Sequence, residues 1–338
     1  MTTKIEWCEK VWNPVTGCTR VSAGCDHCYA VAMTRRLAGM GSGKYRGLVD
    51  AGKKHFNGTV RCHEDVLELP LKWNKPQVIF VNSMSDLFHE GVPFEFIDKV
   101  FAVMAMCPQH TFIVLTKRAE RMAEYCKRVA ESKPHDEVNQ AVFDAVNAVY
   151  GEFATFPLPN VWLGVSVEDQ ASADERIPWL LKCPAAVRLL SMEPLLGPVD
   201  LTRIPFGSLE YANGSVKLVH VNAIDNSGQS RINWVIVGGE SGPGARPMHP
   251  DWARSIRDQC QVADVPFFFK QWGAWKPIDE PWKEDSPAPL AADQRFLNVA
   301  GGSGFHGEKV WRMRRAGKKG AGRLLDGRVW DERPNGNS

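Results

Sequence analysis

Residues 78–115, VIFVNSMSDLFHEGVPFEFIDKVFAVMAMCPQHTFIVL, contain the pattern that decides the fold. A short apolar run, Val78 to Asn82, precedes an amphipathic stretch, Phe94 to Met106, and a second apolar run, Thr111 to Leu115. In the middle stretch apolar residues recur about every three to four positions, which is typical of a helix. Both flanking runs are mostly apolar throughout, as in strands buried on both faces. The stretch therefore predicts a strand, a helix and a parallel strand.

The same alternation continues toward the C-terminus. Four further apolar runs are predicted strands: Val161 to Val165, Val187 to Leu190, Asn233 to Val237 and Pro266 to Phe269. A second crossover helix is predicted at Trp252 to Val262, and an earlier strand near Val11 to Thr16. Parallel strands joined by helices define the α/β class, and their succession predicts a parallel, complete or partial, TIM-type barrel.

The predicted domain organisation is one barrel domain at residues 1–276 and a C-terminal extension at residues 277–338. Within the barrel domain, residues 207–231 are predicted to form an inserted hairpin, because Asn213-Gly214 favours a tight turn. The extension is richer in Pro, Gly and charge, which predicts coil with short helices.

The composition is that of an ordinary globular protein: 338 residues, 44% hydrophobic and 24% charged. Its apolar runs fall well short of the roughly 18 residues that span a membrane. Lys4 and Glu6 interrupt the segment where a secretory signal needs an apolar run, so a cytoplasmic protein is expected. The net charge of +2 does not indicate nucleic acid, but Glu308 to Arg323 is strongly basic. That segment is either a solvated tail or a contact for phosphates.

Three of the nine cysteines lie in the segment Thr16 to Tyr29, TGCTRVSAGCDHCY. They are Cys18, Cys25 and Cys28, and a helix-like stretch, Ala30 to Leu37, follows them. Closely spaced thiolates on a turning backbone suit a [4Fe-4S] cluster. Three ligands leave one iron open, and that iron can chelate the amino and carboxylate groups of S-adenosylmethionine, the cofactor that would supply radical chemistry.

Other interpretations of these thiols stay open. A zinc site completed by Cys8, or by Cys62 with His63, is one. A redox pair of Cys25 and Cys28 is another, and inert buried thiols are a third. The remaining cysteines are expected to be packing residues: Cys107, Cys126, Cys183 and Cys260.

Polar residues follow each predicted strand, at the end where parallel barrels build their active sites. A charge at the end of a buried strand needs a partner, and four such residues are predicted to contact substrate: Asp86, Lys117, Glu193 and Lys270. Ser166 and Glu168 are candidates for binding ribose hydroxyls. Gly238 and Gly239 let a ligand approach the backbone, and Glu240 can accept hydrogen bonds from an ammonium group. Each of these residues is also compatible with an ordinary loop.

Blocks spread over most of the chain together resemble the phage gene-product-37/68 family of radical-SAM-like proteins. They are Lys4-Ile5-Glu6-Trp7, Trp12-Asn13-Pro14, the loop from Gly17 to Tyr29, Val165-Ser166-Val167-Glu168, Ser191-Met192-Glu193-Pro194, Gly238-Gly239-Glu240-Ser241-Gly242-Pro243, Lys270-Gln271-Trp272-Gly273 and Ala321-Gly322-Arg323-Leu324-Leu325-Asp326-Gly327.

The resemblance implies a barrel of the radical-SAM kind with an N-terminal cluster loop. It implies that Cys18, Cys25 and Cys28 ligate a [4Fe-4S] cluster, that His27 lies near the adenine of S-adenosylmethionine, and that Gly238-Gly239-Glu240 helps to hold the methionine amino group. The longer loop from Thr19 to Gly24 replaces the usual C-x3-C spacing.

The same resemblance implies an enzyme in the cytoplasm, the host cytoplasm if phage-encoded, that works with an electron donor such as flavodoxin or ferredoxin. Its expected substrate is a small molecule or a nucleoside, such as a hypermodified thymine in phage DNA, which it rearranges or modifies as an isomerase, lyase or transferase. The alternative is a zinc- or cluster-stabilised nucleic-acid-binding protein without catalysis.

Overall fold

The computed structural model describes residues 3, 5–131, 140–150, 156–210, 215–225, 230–281, 290–303 and 308–334. Some residues used in the sequence argument lie outside these ranges: Lys4, Asn213 and Gly214.

Strands and helices alternate along most of the chain. The strands are β1 (Lys10–Trp12), β2 (Val15–Thr16), β3 (Arg61–Cys62), β4 (Val78–Val81), β5 (Thr111–Thr116), β6 (Val161–Ser166), β7 (Val187–Met192), β8 (Ile204–Glu210), β9 (Val216–Val221), β10 (Trp234–Gly238), β11 (Phe267–Gln271), β12 (Trp275–Pro281), β13 (Gln294–Leu297) and β14 (Trp311–Arg315). The helices are α1 (Tyr29–Gly39), α2 (Phe94–Ala105), α3 (Ala119–Glu131), α4 (Gln140–Tyr150), α5 (Gln170–Lys182), α6 (Pro250–Val262) and α7 (Gly317–Ala321).

The main sheet has seven strands in the order β1-β4-β5-β6-β7-β10-β11. The pairs β1–β4, β4–β5, β5–β6 and β10–β11 are parallel. Strands β4, β5, β6 and β10 are buried along almost their whole length, as continuous apolar runs require. The α/β class and the parallel sheet are therefore confirmed, while a barrel of the radical-SAM kind stays a prediction.

The chain divides into two compact units. Unit 1 comprises residues 1–165 and 179–189, and unit 2 comprises residues 166–178 and 190–338. Large buried side chains fill the core of unit 1: Trp7, Trp12, Phe88, Phe101, Phe112 and Tyr125. Others fill the core of unit 2: Trp234, Trp252, Phe267, Phe268 and Phe269.

The strand predicted near Val11 to Thr16 is present, but as two short strands in different sheets. The chain forms β1 in the main sheet and then β2, which pairs antiparallel with β3 in a separate sheet. Pro14 lies between β1 and β2. Because proline has no N–H to donate to a ladder, it is disfavoured inside a central strand.

The prediction of coil with short helices beyond residue 277 is correct for the short helix α7 but misses a sheet. Strands β12, β14 and β13 form an antiparallel sheet, and β12 crosses the position where the extension was predicted to begin. In β14 the side chains of Trp311 and Met313 are buried, whereas Arg312 and Arg314 are not. This alternation is typical of an antiparallel strand with one covered face, a signal that overall composition conceals.

The segment predicted to be an inserted hairpin contains most of the antiparallel pair β8–β9. The predicted crossover helices exist as α2 and α6, and the stretch after the cysteines forms α1. Among the described residues, no helix combines the length and the apolar character needed to cross a membrane.

Candidate functional site

The cysteine loop, defined as residues 17–28, joins β2 to α1 in unit 1. Gly17 has a φ of +90°, and a Cβ there would lie 2.0 Å from the carbonyl oxygen of Thr59, so a side chain does not fit. Further along the loop, Arg20 and Asp26 form an ion pair at 2.7 Å. The backbone conformation at the start of the loop is therefore fixed, and an ion pair links two residues within it.

Residues just after β4 hold both ends of the cysteine loop. The Asn82 side-chain oxygen accepts a hydrogen bond from the Val15 N–H at 3.1 Å, and the Ser85 hydroxyl donates to the Val15 carbonyl at 2.8 Å. At the other end, the Tyr29 hydroxyl donates to the Ser83 carbonyl at 2.6 Å. The end of β4 therefore positions the loop.

Cys18, Cys25 and Cys28 are free, half-buried thiols. Burial, and secondarily the Asp86 carboxylate, raises the pKa of Cys18 to about 12, against the opposing effect of the Arg118 cation. Burial also raises the pKa of Cys28, where the nearby Lys117 cation opposes the shift. A nucleophilic or redox-active cysteine needs a lowered pKa, which neither Cys18 nor Cys28 has.

Arg118, on the segment after β5, connects the cysteine loop to two carboxylates. Its buried guanidinium donates to the Cys18 sulfur at 3.8 Å and to the Thr19 hydroxyl at 2.5 Å. It also donates to Asp86 at 3.1 Å and to both Glu90 oxygens at 3.0 Å. One cation thereby fixes the position of the first cysteine.

Asp86 is buried between the ends of the adjacent strands β4 and β5. One oxygen accepts from the Thr116 hydroxyl at 2.7 Å and from the Phe88 N–H at 3.0 Å. The other accepts from the Lys117 N–H at 3.0 Å and from Arg118. Asp86 thus serves as a positioning group, and its predicted contact with substrate stays a prediction.

The donor set, three free thiols on one loop, is of the kind that ligates an iron–sulfur cluster. Within the described residues no group of three or more His, Cys, Asp or Glu side chains is arranged to hold one metal ion, as structural zinc requires. A cluster places each thiolate on a different iron atom, so its sulfurs stand further apart. Cys18 and Cys28 interact electrostatically with each other, as do Cys25 and Cys28. The cations Lys117 and Arg118 would offset the charge of ligated thiolates.

In unit 2 the structure brings together three predicted residues, Glu193, Lys270 and Gly238. The Lys270 ammonium lies 2.6 Å from the Glu193 carboxylate, and both side chains are partly exposed. A Cβ on Gly238 would stand 3.0 Å from the same carboxylate, so glycine leaves room for the pair. This partly accessible charge pair is suited to contact a polar ligand.

The glycine–glycine–glutamate element of unit 2 has a structural explanation. A Cβ on Gly239 would lie 2.0 Å from the Trp272 carbonyl oxygen, so backbone packing alone requires glycine there. Glu240 is buried and accepts from the Arg246 backbone N–H at 2.8 Å and from its guanidinium at 3.0 and 2.6 Å. A ligand ammonium would have to share this carboxylate with Arg246.

Glu168 in unit 2 also has an arginine partner. Its carboxylate lies 2.9 Å from the Arg176 guanidinium, and both side chains are only 2% exposed. Arg176 donates to the Ser166 carbonyl at 2.7 Å as well. A ribose hydroxyl would reach Glu168 only after displacing Arg176, so its predicted role stays a prediction, as do those of Ser166 and His27.

The sequence argument did not select Arg118, Thr19 or His89. The Thr19 hydroxyl contacts His89 Nε2 at 3.0 Å and accepts from Arg118. His89 Nδ1 accepts from the Gly91 N–H, so Nε2 carries the proton toward Thr19. Arg118 follows Lys117, which was predicted to contact substrate, directly after β5. Its position at the end of a strand was the sequence signal that could have identified it.

This arrangement defines an α/β protein with a parallel sheet and a three-cysteine loop fixed by a buried arginine. The chain belongs to the DUF5131 family, described as proteins of unknown function, whose model matches residues 2–334. No curated protein sequence matches the chain.

One solved structure to which the chain is similar is "Spore photoproduct lyase complexed with dinucleoside spore photoproduct". The similarity has a TM-score of 0.33 at 9% sequence identity, and it covers 89% of this chain and 66% of that chain. The chain thus spans slightly less than two thirds of that protein, and a likeness this distant carries no argument about function.

Proposed function

We propose that this chain is a radical S-adenosylmethionine enzyme that holds a [4Fe-4S] cluster on Cys18, Cys25 and Cys28. The observation that carries the proposal is the set of three free thiols on one fixed loop, with the Arg118 guanidinium against the first of them. When bound, a cluster with one open iron supplies reductive cleavage of S-adenosylmethionine and a 5′-deoxyadenosyl radical for hydrogen abstraction.

The chain's own residues prepare the site for that group. Asp86 holds Arg118, and Arg118 holds Cys18 and Thr19, so the loop conformation exists before any ligand binds. An N–H donor directed at a ligating sulfur stabilises negative charge on it and raises the reduction potential of the bound group. Lys117 places a second positive charge near Cys28.

The proposed substrate is a nucleoside or DNA base, including a hypermodified thymine. Support comes from the basic residues of β14 and its surroundings, since phosphate backbones bind to such local clusters of Lys and Arg. In unit 2 the Glu193–Lys270 pair is the proposed substrate contact, because its members are charged, paired and partly exposed. An electron donor such as flavodoxin or ferredoxin would supply the reducing equivalent.

Metal analysis of anaerobically reconstituted protein tests the cluster. Wild type should bind about four iron and four sulfide per chain and, once reduced, should convert S-adenosylmethionine to 5′-deoxyadenosine. Cys18→Ala, Cys25→Ala and Cys28→Ala should each lose the cluster. A colourless protein with one zinc, or full iron retention in any of these variants, would contradict the assignment.

Two control variants sharpen this test. Cys107 is buried in unit 1 outside the loop, so Cys107→Ala should keep its iron and sulfide. Cys62→Ala separates the cluster from the zinc site completed by Cys62 and His63, because only a site that includes Cys62 would lose metal on this change.

Substrate class is tested by mass spectrometry of phage and host nucleosides with and without the gene. A nucleoside whose abundance depends on the gene and on Cys25 would support enzymatic modification. DNA binding without S-adenosylmethionine cleavage would favour the binding-protein alternative.

A further inference from the structure

Unit 1 contains an open cavity of about 620 Å³ that the cluster proposal does not use. Its lining combines basic side chains with glycine backbone: Gly43, Lys44, Arg46, Gly47, Arg61 and His63. The volume falls in the range of roughly 300–1,000 Å³ that is typical of small-molecule sites. A concave surface with several cations and exposed backbone is suited to an anion.

Arg61 builds the wall of this cavity. From β3 its Nη1 donates to the carbonyl oxygens of Gly43, Lys44 and Arg46, at 3.4, 3.4 and 2.7 Å. These bonds wrap residues 43–46 around the guanidinium and fix its position. The conformational entropy cost of ordering this guanidinium is therefore already met in the free protein, as a preorganised binding site requires.

The charge balance in the cavity is positive. Lys44 pairs with the exposed Asp65 at 2.7 Å. In the described part of the chain, neither Arg46 nor Arg61 has a carboxylate within ion-pair distance. Neither guanidinium charge is neutralised by such a carboxylate, and the forked donors of Arg46, with the Arg61 nitrogens other than Nη1, match the oxygens of a phosphate.

His63 links the cavity to the cysteine loop by way of Thr16. The Thr16 hydroxyl lies 2.8 Å from His63 Nε2 and donates to the Lys44 carbonyl at 3.1 Å. Thr16 is also the residue before Gly17, where the cysteine loop begins. The cavity therefore adjoins the start of that loop.

We propose that this cavity binds the phosphate of a nucleotide unit, with Arg46 and Arg61 contacting the phosphate oxygens and Lys44 at the rim. The cavity exceeds the size of one phosphate, so it has room for part of the attached nucleoside. The inference goes beyond the cluster proposal and does not depend on it, because binding requires no metal.

Fluorescence anisotropy of a labelled single-stranded oligonucleotide, with the full-length metal-free protein, tests this site. Arg46→Gln is the main variant, because Arg61 also supports the loop. We expect it to weaken binding about tenfold, the effect of losing one charged hydrogen bond. It should also lower the salt dependence by one phosphate contact, a slope change of about 0.7 for a single strand.

Two further variants control for folding and for total charge. Arg46→Lys keeps the charge and should retain the wild-type salt slope. Lys75→Gln removes one exposed cation of unit 1 outside the cavity and should bind as wild type does. Equal affinity of the Arg46→Gln and Lys75→Gln proteins would overturn the proposal, as would a wild type that binds no probe.

Competition identifies the source of the phosphate. Displacement of the oligonucleotide by a nucleoside monophosphate and by pyrophosphate indicates a free nucleotide ligand, whereas displacement by unlabelled strand alone indicates a polymer. Either result supports the site, provided that Arg46→Gln weakens the binding of the oligonucleotide. Binding should persist in Cys25→Ala, so failure of the cluster proposal and failure of this site are distinguishable.

Discussion

Replacing Asp86 by alanine is the most informative test of how the cysteine loop is held. The change removes the acceptor of three donors, namely the Thr116 hydroxyl and the Phe88 and Lys117 N–H groups. It also removes the buried partner of Arg118, since the two side chains of that ion pair are only 7% and 8% exposed. A large loss of stability should follow.

The magnitude follows from burial. Each hydrogen bond to a charged group contributes about 1.5–3 kcal/mol, but bonds that share one carboxylate are not additive. Removing one partner of a buried pair costs about 3–5 kcal/mol. Arg118 retains Glu90 and Thr19 after the change, so we expect the lower end of this range, about 3 kcal/mol.

Glu90 provides the matched control. It binds the same guanidinium at 3.0 Å, but its side chain is 68% exposed. Exposed ion pairs contribute about 0–1 kcal/mol, so Glu90→Ala should cost less than about 1 kcal/mol.

Urea unfolding of the metal-free proteins, followed by circular dichroism, measures both changes in the free energy of unfolding. If Asp86→Ala is no less stable than Glu90→Ala, the positioning role assigned to Asp86 is refuted. A stable Asp86→Ala protein that has lost S-adenosylmethionine cleavage would instead favour direct contact with substrate or cofactor.

Two further predictions concern unit 2. Arg176→Met should cost about 3–5 kcal/mol because it leaves the Glu168 carboxylate buried without its cation. Adding Glu168→Gln should restore much of the loss in urea unfolding; an equal or greater loss in the double variant would contradict this reasoning. His249 is fully buried, and burial lowers its pKa, so its neutral ring is favoured while it bonds to the Lys309 carbonyl and the Asp251 N–H. Because the unfolded state then binds more protons at this residue, the contribution of His249 to stability is present above about pH 6.5 and is lost as the pH falls below that value. Urea midpoints between about pH 7.5 and pH 5.5 should decline less in His249→Asn; an identical decline would refute the assignment.

The sequence alone identified the parts of this protein that depend on local pattern. Apolar runs such as Val78 to Val81 must be buried on two faces, so they predict parallel strands wherever they occur. The three cysteines are close in sequence, and the short chain between them limits how far apart they can lie in space. The strands of the parallel sheet and the candidate cluster ligands follow from such short-range constraints.

The tertiary structure decided which long-range partners these elements meet. Arg118 contacts Cys18 across 100 positions, a pairing that no local spacing contains. The arginines that bind Glu168 and Glu240 lie only eight and six positions further along the chain, yet the sequence does not reveal these pairs, because a free strand-end carboxylate and a paired one look alike. The contacts of Arg118 with Cys18 and Asp86 depend on which strand ends become neighbours in the sheet. The sequence by itself thus determined which residues form the strands and the cysteine loop, whereas the fold decided which charges are buried in pairs and which remain accessible to a ligand.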